Sequence, residues 1–125
     1  SSDNCPPENI TSCVMKVSYG NFDFFAGGDL QYNGRSSHAW KDAELPCAKA
    51  VGQVELLKAN HHGVTNTNQV DALKALNPQT IVVNSWVDCH PRTDILNSME
   101  TTLPACDMFI TNFWQGDRPS ESKGI

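Results

Sequence analysis

The stretch VELLKANHHGVTNTNQVDALKALNPQTIVVNSW, residues 54–86, decides the fold, because it changes hydrophobic period twice. VELLKA is a short apolar run of strand length. In TNQVDALKALNP, Val70, Leu73 and Leu76 fall on one helical face, with Thr and Asn in front as caps and Pro78 behind as a stop. TIVVNSW is β-branched and uninterrupted, the pattern of a strand buried on both faces. Strand, helix and strand in that order imply a right-handed crossover between parallel neighbours.

Outward from this unit the alternation continues. PRTDILNSMETTL spaces Ile95, Leu96, Met99 and Leu103 as a helix does, with Pro91 near its start, and CDMFITN closes as a strand. Upstream, SCVMKVSYG and FDFFAGGDL are β-prone runs on either side of Tyr19-Gly20-Asn21, which predicts a tight hairpin. Gln31 to Gly52 is irregular, with Gly34, Ser36, Ser37 and Pro46, and reads as a long loop with room for one helical turn. Loops of that length in a small domain are more often functional than idle. Both ends are polar and read as loop. The expectation is a layered α/β domain.

Composition bounds the function. With 125 residues, 39% hydrophobic and 18% charged, the chain suits a single globular domain. No apolar stretch reaches the roughly 20 residues of a membrane helix. A net charge of −5 without a Lys/Arg cluster argues against an extended nucleic-acid-binding surface. An enzyme that meets a phosphodiester through metal ions is still compatible with it. The five cysteines form no C-x-x-C pair, and their odd number leaves at least one thiol unpaired within the chain. A bridge from Cys5 to a later cysteine would suit a periplasmic or secreted protein, but spacing does not choose the connectivity. The text begins Ser1-Ser2 without methionine, so a longer parent is expected and the compartment stays open.

Three apolar runs end in a polar residue set among Gly or Asn: FDFFAGG at Asp29, VELLKAN at His61-His62, and TIVVNSWVDC at His90. In parallel α/β units the carboxyl ends of the strands share one edge of the sheet, where ligands bind. A carboxylate and two or three imidazoles on one edge suit zinc, with manganese or iron as alternatives. Gly27, Gly28 and Gly63 would let the backbone approach such a site closely. Each residue also has an ordinary reading: Asp29 as a turn residue, the paired histidines as a surface loop, His90 as a helix start. It is their recurrence at three successive strand ends that favours a site. His38, isolated in the polar loop, is left aside, and Trp86 and Trp114 are candidates to line a pocket, or simply core.

FFAGGDLQ, VGQVELLKANHHGVTNT, LNPQTIVVNSW and CHPRTDILNSM, in that order, resemble the second half of metallo-β-lactamase-fold hydrolases. The branch they resemble includes the hydrolase domain of the bacterial DNA-uptake competence channel. The resemblance runs from about Val14 to Asn112 and implies half of an αββα sandwich, a mixed sheet with helices on one face, with residues 1–125 as one domain. It implies that Asp29 is a metal-bridging carboxylate and His61 the late histidine ligand. His62 would face substrate or support the ligands, and His90 would stabilise negative charge or protonate a leaving group. The complete enzyme would hold one or two ions, zinc first.

The first-half motif of that family, His-x-His-x-Asp-His, does not occur in this chain. The chain is therefore expected to be the C-terminal portion of a metal-dependent hydrolase, inactive alone. Its substrate would be a small molecule or phosphodiester, through an ester, phosphoester or lactam bond. Its open face would be covered by the missing N-terminal half or by a self-association partner. The alternative is a non-catalytic binding module of the same fold. A zinc nucleobase deaminase is excluded, since its H-x-E and P-C-x-x-C elements are absent.

Overall fold

Gly20 and Asn21 close the chain's first hairpin, joining β1 (Met15–Tyr19) to β2 (Phe22–Ala26), with Tyr19 opposite Phe22 and Met15 opposite Ala26. Gly20 takes a φ of 59°, which only glycine adopts without steric cost. In the computed structural model the described residues are 8–32, 42–85 and 90–112.

After β2 the order is α1 (Glu44–Val51), β3 (Leu56–Lys58), α2 (Val70–Leu76), β4 (Thr80–Val83), α3 (Thr93–Thr102) and β5 (Asp107–Ile110). The five strands lie in chain order in one sheet, β1 antiparallel to β2 and every later pair parallel. The protein is thus an α/β protein with a five-stranded mixed sheet and three helices.

Register explains which side chains are buried. Phe25, Leu57, Ile81 and Met108 stand side by side across β2 to β5. Phe25, Leu57 and Ile81 join Ala48 of α1, Ala72, Leu73 and Leu76 of α2, and Leu96 and Met99 of α3 in one core. Each large side chain sealed there contributes about 1.5–3 kcal/mol of transfer free energy. The alternate residues point to the other face of the pleat. Met15, Val17, Tyr19, Phe22 and Phe109 lie there and are all substantially exposed, Met15 at 53% and Phe109 at 54%.

Four expectations need correction. Residues 31–52 are not a loop with one helical turn, since α1 occupies Glu44–Val51. Pro46 does not stop it: it sits in the first turn, where a main-chain N–H has no intrahelical partner to lose. β4 is buried on one face rather than both, with Ile81 and Val83 sealed and Thr80 and Val82 partly exposed, because the helix-side core packs against one face alone. Val70 does not share the burial of Leu73 and Leu76; it begins α2 and is 40% exposed. Finally, α2 is capped by no Thr or Asn side chain at its N-cap, Gln69; the Glu44 carboxylate from α1 instead holds the main-chain N–H groups of Asn68 and Gln69 that lead into it. Cys5, His38, Trp86, Cys89 and Trp114 lie outside the described residues.

Candidate metal-binding edge

β2, β3 and β4 run parallel, so their carboxyl ends open on one edge. Beyond β2 the chain turns through Gly27-Gly28-Asp29, with the Leu30 N–H donating to the Gly27 carbonyl at 3.0 Å. Gly28 takes a φ of 60°. Gly27 lies flush against Asn60: a Cβ there would run into Asn60 Oδ1 and stand 3.1 Å from Asn60 Cγ. Glycine is required by this close approach.

Beyond β3 the chain enters a tight turn, Asn60–Gly63, in which His61 (φ 45°, ψ 44°) and His62 (φ 58°, ψ 17°) are both left-handed. Asn66 and Asn68 follow with φ of 64° and 54°. Left-handed backbone costs a residue with a Cβ about 1–2 kcal/mol, somewhat less for Asn. The turn therefore depends on its surroundings. The His61 N–H donates to the Gly28 carbonyl at 3.1 Å, tying the histidine turn to the Asp29 turn. The Asn68 side chain pairs with the main chain of Asn60, accepting from its N–H at 2.9 Å and donating to its carbonyl at 3.0 Å.

Asp29, His62 and His90 are brought together. His62 Nε2 lies 3.7 Å from Asp29 Oδ1. Its Nδ1 donates to the main-chain oxygen of Asn84, just beyond β4, at 2.5 Å. That bond requires a proton on Nδ1, so in the neutral ring it is the Nε2 lone pair that faces the carboxylate. The His90 ring stacks on His62 with centroids 4.9 Å apart and planes 17° from parallel. His61 points elsewhere: its centroid is 6.1 Å from that of His62, and its Nδ1 accepts from Asn9 Nδ2 at 3.3 Å. The imidazole set against Asp29 is thus that of His62, the one expected to face substrate.

Charge at the edge is unevenly shielded. Desolvation by burial holds the His90 imidazole below its ordinary pKa of 6.5, helped by the neighbouring His62 and His61, and its Nδ1 is buried without a hydrogen-bond partner. Lys58, at the end of β3, donates to the Gly28 and Ala59 carbonyls at 3.0 and 3.1 Å. Burial lowers its pKa, and the nearby Asp29 charge opposes that shift. A cavity of about 360 Å³ adjoins His62, lined also by Asn84, Ser85 and Thr111. Its hydroxyls are engaged, Ser85 Oγ donating to the Asn112 carbonyl at 2.6 Å and Thr111 Oγ1 to the Ser85 carbonyl at 3.0 Å. Of the cysteines among the described residues, burial raises the thiol of Cys47, and burial beside Asp107 pushes Cys106 up to about 11.

Sequence reasoning missed Glu44, Lys58, Asn60, Asn68 and Asn84. Lys58 and Asn84 carried a signal, a polar residue at the last turn of an otherwise apolar strand. Glu44 carried none, since its segment reads as loop. Among the described residues, no group of three or more His, Cys, Asp or Glu is gathered so as to hold a metal ion. Compared with protein families and with characterised proteins, the chain matches no family model and no curated relative.

Proposed function

We propose that this chain is the C-terminal half of a metallo-β-lactamase-like, metal-dependent hydrolase. It would supply Asp29 and the His61-His62 turn as its share of the ligands and His90 as a group beside the substrate. The observation that carries the reading is the facing pair of Asp29 Oδ1 and His62 Nε2, 3.7 Å apart on the carboxyl edge of parallel strands. The donor set fits the group: one carboxylate oxygen and one imidazole nitrogen whose tautomer is fixed by a carbonyl match the N/O chemistry of zinc, manganese or iron. A metal ion held there would supply an activated water for hydrolysis of an ester, phosphoester or lactam.

The chain's own residues do the rest. Asn84 orients His62 through its carbonyl. His90, stacked on His62, is placed beside the substrate to stabilise negative charge or move a proton at a leaving group. Two ligands fall short of the three protein donors usual for catalytic zinc, so the remaining donors belong to a first half bearing His-x-His-x-Asp-His. That half would cover the sheet face carrying Met15, Val17, Tyr19, Phe22 and Phe109.

A second reading, a non-catalytic binding module of the same fold, is favoured by that same apolar face, which suits a partner whether or not chemistry follows. One experiment separates the two. The protein extended upstream to include a first half is loaded with zinc and assayed on phosphodiester and lactam probes, alongside Asp29→Ala and His90→Ala. Hydrolysis that needs Asp29, and that falls about 10²–10⁴-fold in His90→Ala with metal retained, supports the hydrolase. Undiminished turnover in Asp29→Ala rejects it, and absence of turnover in the metal-loaded protein favours the module.

A further inference from the structure

Glu44 is 1% exposed, and among the described residues its carboxylate hydrogen-bonds neither Asp29 nor a histidine. Three donors converge on its carboxylate from the far side of the histidine turn. The main-chain N–H groups of Asn68 and Gln69 donate to Oε1 and Oε2 at 2.5 and 3.0 Å. The Asn60 side-chain N–H donates to Oε1 at 2.9 Å. A carboxylate is an acceptor only, so all three are satisfied together by the ionised form. Asn60 and Asn68 in turn exchange two bonds with each other. The four left-handed residues His61, His62, Asn66 and Asn68 all lie within or just after this bracket.

The same group reaches the other side of the site. Asn60, held by Glu44, is the side chain against which Gly27 packs without room for a Cβ. Glu44 therefore fixes both the left-handed histidine turn and its distance from the Asp29 turn. We infer that Glu44 is the positioning residue of this edge, acting through Asn60 and the start of α2 to aim His62 Nε2 at Asp29. The inference rests on the site proposed above, but it concerns geometry rather than turnover. It gives Glu44 more than the role of a buried acceptor for the segment leading into α2, which would affect stability and leave the imidazole indifferent.

The test reads the imidazole. The whole chain, free of metal and labelled with nitrogen-15 in histidine, is examined by NMR well above the ordinary imidazole pKa of about 6.5. In the wild type, His62 shows one tautomer, Nδ1 protonated and Nε2 bare. In Glu44→Ala the two ring nitrogens move towards the averaged shifts of an exchanging imidazole, while the methyl signals of Leu57 and Ile81 stay in place. Glu44→Gln, which keeps one oxygen for Asn60 and Asn68, restores most of the single-tautomer pattern. If Glu44→Ala does not fold, Asn60→Ala decides, because it leaves both main-chain bonds to the carboxylate intact and cuts only the link to the turn. A folded Glu44→Ala or Asn60→Ala with wild-type His62 signals overturns the inference. The readout involves no hydrolysis, so failure of the hydrolase reading would leave it standing.

Discussion

His62 rests its Nδ1 proton on the carbonyl oxygen of Asn84, 2.5 Å away, so the end of β4 sets the orientation of an imidazole that β3 delivers. Neighbouring parallel strands thus supply the ring and its support separately. The ring's other nitrogen is left 3.7 Å from Asp29 Oδ1. One hydrogen bond defines which ring nitrogen faces Asp29, and a strand-end asparagine provides it through its backbone.

The two histidines of the turn should therefore part company in metal binding. Zinc added to the isolated chain is expected to bind weakly, because two protein ligands leave most of its coordination to water. Asp29→Ala and His62→Ala should each abolish that binding in calorimetry, and His61→Ala should retain it, since the His61 Nδ1 lone pair is taken up by Asn9. Loss of binding in His61→Ala with retention in His62→Ala would reverse the assignment.

Gly27 has no room to grow. A methyl there meets Asn60 Oδ1 and comes within 3.1 Å of Phe25 Cε1, both buried. Gly27→Ala should cost about 1–3 kcal/mol in denaturant unfolding, the range for overpacking, and should shift the amide signals of the histidine turn. Gly20→Ala is the comparison, since a Cβ there meets nothing within 4 Å. It should cost about 1–2 kcal/mol through its left-handed backbone and leave the histidine turn alone. Equal responses of that turn to both substitutions would count against Asn60 as the link.

Much of the frame was legible in the sequence because it rests on periodicity. Leu73 and Leu76, and Leu96 and Met99, announce burial by spacing, and Gly20-Asn21 announces a turn by chemistry. Asp29, His62 and His90 were legible as candidates because parallel strands put their carboxyl ends on one edge. What spacing could not carry was orientation. Whether His61 or His62 turns towards Asp29 depends on two left-handed residues and on the Asn84 carbonyl, none of which has a period. Glu44 escaped for a related reason: α1 offers only Ala48 as a fully buried apolar residue, so its sequence lacks the stripe that marks a helix.

Glu44 also makes a pH prediction. Burial raises its carboxyl above the ordinary 4.5, against the opposing bonds from Gln69, Asn60 and Asn68. A folded-state pKa above the unfolded one means that folding favours the protonated acid. The associated stability is full below about 4.5 and is lost as pH rises through the folded value. Glu44→Gln lacks this titration, and comparing the two proteins cancels every other group. Urea unfolding between about pH 4 and 8 should show the wild type losing stability relative to Glu44→Gln as pH rises, by at most about 1.4 kcal/mol per pH unit. A relative gain would mean that the three hydrogen bonds outweigh burial.

The exposed sheet face makes the last prediction. Val17 on β1 and Phe109 on β5 are 52% and 54% exposed and lie at opposite margins of one face, together with Met15, Tyr19 and Phe22. An exposed apolar face of this kind drives association, and among the described residues both margins are edge strands, where natural proteins place lysine to prevent pairing. The isolated chain should self-associate as its concentration rises, which sedimentation velocity reads directly. Val17→Lys with Phe109→Lys should return it to a monomer. Because both side chains are already about half in water, the double variant should unfold within about 0.5 kcal/mol per substitution of the wild type. The same two lysines should also weaken binding of a separately expressed first half, if that half seats on this face. Association that persists undiminished in the double variant would place the contact elsewhere, and a large loss of stability would mean that the two side chains are packed within the fold.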